Sequence, residues 1–125
     1  MVDFDSQNNV IEKEVCNAIL VGVSTGEDIS YSMEELSGLA EAAGINVLAS
    51  AVQNAEKLNA ATYIGSGKAE ELKDMAANME ADLLIFNDEL SGMQIRNLED
   101  CTDVKVIDRT ILILDIFADR ASSAE

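Results

Sequence analysis

The sequence predicts an α/β fold: a small, open, mainly parallel four-stranded sheet flanked by helices in βαβαβαβα order. Three observations carry this. Short apolar runs alternate with stretches of helical periodicity. The first run, AILVGV at 18–23, is continuously apolar, as in a strand buried on both faces. No Asn-Gly or Asp-Gly dipeptide joins two strand-like runs, so right-handed crossovers are expected in place of hairpins.

Each element follows in order. After the loop STGEDISY, Ser32 stands three residues before Glu35, the spacing of a capping box that opens a helix. Leu36, Leu39, Ala40 and Ala43 share one face of it, and Gly44 can end it in a left-handed turn. Residues 46–53, NVLASAVQ, form the second strand. From Ala69 to Met79 the spacing of Leu72, Met75, Ala76 and Met79 is again one helical face. Residues 83–86, LLIF, are a short buried strand. Ser91 and Gln94 repeat the capping-box spacing, with Ile95 and Leu98 facing inward. Residues 104–107, VKVI, are the fourth strand, and Asp108 or Thr110 can cap the last helix. In such a fold ligands gather at the carboxyl ends of strands, here the loops 24–28, 54–65, 87–90 and 108–110.

Composition bounds the function. The 125 residues suit one domain. Aromatics are limited to Phe4, Tyr31, Tyr63, Phe86 and Phe117, so the core is aliphatic. The 24 acidic and 8 basic residues give a net charge of −16, which disfavours free nucleic-acid binding. The charge is uneven: residues 1–55 carry nine acids against Lys13 alone, whereas residues 56–109 carry six of the basic residues. Any anion contact belongs to that second part. The absence of histidine excludes His-based zinc sites and Ser-His-Asp triads. Cys16 and Cys101, without CxxC spacing or an export signal, point to reduced thiols in the cytoplasm. The apolar runs are too short to span a bilayer.

Three clusters are candidate sites. Gly65-Ser66-Gly67-Lys68 resembles a phosphate loop, but Thr62 takes the place of the first Walker A glycine and Ala69 that of the hydroxyl residue. What remains is either a helix N-terminus able to hold an anion, aided by Lys68, or a helix entry whose glycines let the chain turn. The loop Gly22-Val23-Ser24-Thr25-Gly26-Glu27 admits a flavin-phosphate reading or a plain polar turn. Asp88, Glu89 and Asp108 at strand ends admit magnesium or acid–base chemistry, with loop and capping roles as the simpler reading. Arg96 and Arg109 can pair with these acids or touch RNA phosphate. No catalytic residue and no metal site is assigned.

The ordered blocks Tyr63–Lys68 (YIGSGK), Ala81–Phe86 (ADLLIF), Asp88–Ser91 (DELS), Arg96–Glu99 (RNLE), Val104–Thr110 (VKVIDRT) and Ile113–Ala118 (ILDIFA) resemble the N-terminal domain of the HflX family of GTPases. The resemblance covers residues 62–121. It implies a cytoplasmic, ribosome-associated protein that acts at the large subunit in ribosome splitting, rescue or biogenesis. It also implies an α/β domain at 13–109 and the start of a helical linker at 110–125, preceded by residues 1–12, which read as a flexible stretch from their own sequence. GTP and magnesium would belong to a G domain, whose Walker A and NKxD motifs do not occur in this sequence. The expected role here is an interaction or regulatory module, uncertain as an enzyme by itself. Its Gly65–Lys68 segment, Arg96 and Arg109 would contact ribosomal RNA or the G domain; the full-length protein would meet RNA and protein of the large subunit, with no DNA partner. The abrupt end at SSAE fits a trimmed domain. The alternative is a stand-alone nucleotide-binding α/β protein using Gly65–Lys68.

Overall fold

The computed structural model describes residues 15–123, and the expected flexible stretch at 1–12 lies outside them. The elements are β1 (Cys16–Ser24), α1 (Ser30–Ala42), β2 (Ile45–Asn54), α2 (Ser66–Met79), β3 (Leu83–Phe86), α3 (Gly92–Thr102), β4 (Lys105–Asp108) and α4 (Arg109–Ser123). All pairings are parallel and the strand order is β2-β1-β3-β4. The predicted class and element order are therefore those of the molecule. Strand order, which the sequence left open, places the chain's reversal between β1 and β3.

That order explains the distribution of helices. The step from β1 to β2 runs one way along the sheet; the steps from β2 to β3 and β3 to β4 run the other way. Connections of one hand then put α1 on one face and α2 and α3 on the opposite face. The packing agrees. Ala18 and Leu20 of β1 and Leu83 and Ile85 of β3 meet Met33, Leu36 and Ala40 of α1 and Leu112 of α4. Ile19, Val21, Leu84 and Phe86 meet Ala69, Leu72 and Ala76 of α2 and Leu98 of α3. β1 is buried from Ala18 to Ser24, which is why its sequence is continuously apolar. Gly22 lies beneath α1, where a Cβ would stand 2.5 Å from Met33 Sδ and 2.9 Å from Ile29 Cδ1.

The helix ends hold one correction and two agreements. Ser91 and Gln94 form the reciprocal capping box of α3. Gly44 has φ +79 just after α1, the left-handed stop expected of it. The Ser32–Glu35 box, by contrast, does not form. α1 begins earlier, at Ser30, with Ile29 at the N-cap. Asp28 Oδ1 accepts from the Ser30 amide at 2.9 Å and from its hydroxyl at 2.5 Å. The partly buried Ile29 joins Met33, Leu36 and Ala40 on the inward stripe, so starting one turn earlier gains apolar contact. No helix among the described residues is long and apolar enough to cross a membrane.

Candidate functional site at the carboxyl edge of the sheet

A sheet of this order opens a crevice between the loops that follow β1 and β3, where ligands of α/β proteins sit. Side chains of the protein itself bridge this edge, Tyr63 to Asp88 and Asn87 to Ser32. The segment 55–65 between β2 and α2 crosses this edge. Within it Tyr63 and Asn59 form an isolated antiparallel bridge, with Tyr63 N donating to Asn59 O at 2.7 Å. Asn59 Oδ1 accepts from the amides of Ala61 and Thr62, which tightens the turn. Tyr63 takes φ +69, a conformation that bulky residues rarely adopt. Its hydroxyl donates to Asp88 Oδ2 at 2.5 Å. Burial first, then this bond and the charges of Asp88 and Glu27, push its ionisation well above the usual range. From the other side Gln94 Nε2 donates to Ala60 O at 3.2 Å and Asn97 Nδ2 to Ala61 O at 3.0 Å, so α3 holds the segment down.

The glycine segment is mostly helix. Gly65 is the extended N-cap of α2 and makes no side-chain cap, while Ser66, Gly67 and Lys68 are its first turn. Lys68 Nζ bonds Glu71 Oε1 at 3.0 Å. Ala69, in the place of the Walker hydroxyl, is buried in the core. Thr62, in the place of the first glycine, donates from its hydroxyl to Ile64 O at 2.7 Å. The segment therefore lacks the first glycine and the magnesium-binding hydroxyl of a Walker loop, and keeps only an uncapped helix start.

The loop after β1 is occupied by its own carboxylate. Glu27 Oε1 accepts from Thr25 N at 3.0 Å and Thr25 Oγ1 at 3.1 Å. Ser24 Oγ donates to Glu27 O and accepts from Gly26 N. Backbone hydrogen bonding at Glu27 and the Thr25 hydroxyl hold the Glu27 carboxyl below its ordinary value. The adjoining cleft, about 500 Å³, is lined by Ser24, Thr25, Glu27, Asp28, Asn54 and Glu56. Its carboxylates repel phosphate, including that of a flavin nucleotide.

The acids after β3 and β4 divide. Asp88 serves Tyr63, and Glu89 is exposed. Asp108 is buried and accepts twice, from Leu90 N at 2.8 Å and Ile111 N at 2.9 Å, which makes it the cap of α4. Arg109 is a hub. Nη2 donates to Asn87 Oδ1 at 2.7 Å, to Ser32 O at 2.8 Å and to Ser32 Oγ at 3.3 Å. Nε reaches Asn87 O at 3.3 Å and Nη1 reaches Glu35 at 3.5 Å. Arg96 is exposed on α3. Among the described residues, no three His, Cys, Asp or Glu side chains converge as a metal site. Gly65–Lys68, Asp88, Glu89, Asp108 and Arg109 thus share the carboxyl edge, with Arg96 on the helix that leaves it. Sequence reasoning placed Tyr63 and Asn87 in loops of this edge without a role, and missed Ser32 as part of it. Nothing local in the sequence pairs them with residues 22 to 77 positions away.

Comparison with known proteins fits this geometry. The profile of the GTP-binding GTPase N-terminal family matches residues 30–118. The chain is 51% identical over 108 residues to the GTPase HflX of Caldanaerobacter subterraneus, covering 86% of this chain and 25% of that protein. It is 43% identical over 120 residues to the HflX of Alkalihalophilus pseudofirmus, covering 94% and 28%. For the Escherichia coli HflX the values are 35% over 109 residues, 86% and 26%. The chain thus spans about a quarter of the length of the curated relatives it matches. Among solved structures, a GTP-binding protein from Sulfolobus solfataricus in complex with GDP shares the fold, with TM-score 0.61, 24% identity, and coverage of 82% of this chain and 30% of that one. By profile, by identity and by the region matched, this chain belongs to the HflX family and corresponds to its N-terminal domain.

Proposed function

We propose that this chain is the non-catalytic front module of an HflX-like GTP-binding protein. In this reading GTP and magnesium bind in a G domain outside these 125 residues. The whole protein works in the cytoplasm at the large ribosomal subunit, in splitting, rescue or biogenesis. The observation that carries the reading is the commitment of the carboxyl edge. Tyr63 is bonded to Asp88, Glu27 to its own loop, and Asp108 to two amides. Groups bonded in this way hold the surface of the edge in shape. Arg96, exposed and without an ion pair among the described residues, and the exposed start of α2 are the residues left to meet a partner.

Co-sedimentation of a full-length protein with large ribosomal subunits tests this. Arg96→Glu combined with Lys68→Glu should weaken binding at least tenfold and leave GTP hydrolysis off the ribosome unchanged. Unchanged sedimentation would remove these residues from the interface. A stand-alone nucleotide-binding protein remains the second reading, because Gly65 leaves the first amides of α2 without a side-chain cap. Calorimetric titration of this chain with GTP and ATP in the presence of magnesium decides between the two. Micromolar binding lost in Lys68→Ala would favour the second reading, and no heat the first.

A further inference from the structure

We infer that the Asp108–Arg109 junction is a latch that seats α4 against the domain, and that the loop after β3 is the handle by which the latch opens. The inference concerns α4's attachment and does not depend on which partner the domain meets.

Apolar packing holds α4 weakly. Leu112 is its one fully buried residue among those whose side chains are described, with Ile116 partly buried beside it. Ile111, Leu114 and Phe117 are 38%, 62% and 60% exposed. One buried leucine over the first three turns is little anchoring for a helix, whose stability in a protein comes chiefly from its packed face. The remaining ties are polar and concentrate at the N-terminal end. Asp108 bridges two elements with one carboxylate, taking Leu90 N on Oδ2 and Ile111 N on Oδ1. Arg109 takes both the carbonyl and the side chain of Asn87 while reaching Ser32 and Glu35 on α1. Asn87 completes the ring by donating from Nδ2 to Ser32 Oγ at 2.9 Å.

The two ends of the loop 87–90 are therefore bound to consecutive residues, one at each side of the β4–α4 boundary. The loop cannot shift without loosening either the cap or the guanidinium ties of α4. Its middle carries the exposed Glu89 and Asp88, which is bonded to Tyr63, so a partner that engages Glu89 pulls on the ring. Arg109 suits this role because its planar fork spans several acceptors at once, which an ammonium does not. In these terms Arg109 is a positioning residue.

Hydrogen exchange of the 125-residue chain, resolved by segment, tests the latch. Arg109→Ala should accelerate exchange of residues 111–118 at least tenfold, with Ala18–Val21 and Leu83–Phe86 changing less than twofold. Arg109→Lys should fall between this variant and the parent, and Phe117→Ser should leave exchange in 111–118 unchanged. Equal acceleration in the strands and α4 would make Arg109 a general stabiliser, and no acceleration in α4 would make its ties ornamental; either overturns the latch. If Arg109→Ala does not fold, Arg109→Lys carries the same comparison. The handle is tested with Asp108→Asn, which leaves one acceptor for two amides. Faster exchange at Leu90 and at Ile111–Ile113 together supports the coupling. Faster exchange at one end with the other unchanged overturns it.

Discussion

The starts of α1 and α3 carry the same short signal, a serine followed three residues later by Glu or Gln, and they use it differently. At α3 the serine is the cap: Ser91 Oγ accepts from Gln94 N at 3.1 Å and Gln94 Oε1 accepts from Ser91 N at 2.9 Å. At α1 the serine lies inside the first turn and its hydroxyl faces Asn87 and Arg109. The difference comes from what lies upstream. Before Ser91 stands Leu90, buried against the α2–α3 face, so the chain must turn there. Before Ser32 stand Asp28, which satisfies the Ser30 amide, and Ile29, which packs with the α1–α4 face. A capping pattern competes with any earlier residue that both caps and packs. A serine displaced from capping is then free to serve long-range contacts.

That comparison can be broken in three steps of decreasing size. The apolar anchors should be equivalent in kind. Leu36 of α1 and Leu98 of α3 are both fully buried, one on each face. Leu36→Ala and Leu98→Ala should each cost about 2–5 kcal/mol in urea unfolding. A loss below roughly 1 kcal/mol at either would mean that face contributes no real core. Ser32→Ala comes next. It strips an acceptor from Asn87, a residue only 7% exposed, and from Arg109. The cost should be about 1–3 kcal/mol. It should be strongly non-additive with Arg109→Ala, since both belong to one network. Additive losses would place Ser32 outside that network. Ser91→Ala should cost about 1 kcal/mol, the usual worth of an N-cap, and add independently to Ser32→Ala.

How much of this was legible follows from the range of each interaction. All four strands could be read, because β1, β3 and the inward residues of β2 and β4 are apolar runs of strand length. The α3 cap and the Gly44 stop depend on neighbours within four residues and were also readable. The start of α1 was misplaced because the gain from burying Ile29 is tertiary. Strand order was invisible, since pairings such as Leu20 with Ile85 leave no local mark. At the edge, Asp108 was readable as a cap, but not as the acceptor for Leu90. Arg109 was readable as a cation near acids, yet its main partners are the amide Asn87 and the hydroxyl and carbonyl of Ser32. The glycine segment looked like a phosphate loop because Gly, Ser and Lys are also residues that open a helix.

The smallest expected effect sits at the other end of the same region, in the loop that precedes α1. Glu27 and Asp28 both titrate below their ordinary values. For Glu27 the leading cause is a backbone hydrogen bond and then the Thr25 hydroxyl; for Asp28 it is the Ser30 hydroxyl and then the Ser30 amide. A carboxyl whose folded value lies below its unfolded one contributes stability above the unfolded value, near 4.5 for Glu27. That contribution is lost as pH falls through the folded value. Both groups are fully exposed, so the contribution is small and weakens with salt. Glu27→Gln keeps an oxygen acceptor for Thr25 and removes only the charge. The parent should therefore be slightly more stable than Glu27→Gln near neutral pH, and the gap should close in strong acid. Asp28 titrates in the same direction, so Asp28→Asn must be compared in the same background. A gap that stays constant as the carboxyls protonate would mean that the loop before α1 gains nothing from the charge of Glu27, unlike α1 itself, which is started by a carboxylate where α3 is started by a hydroxyl.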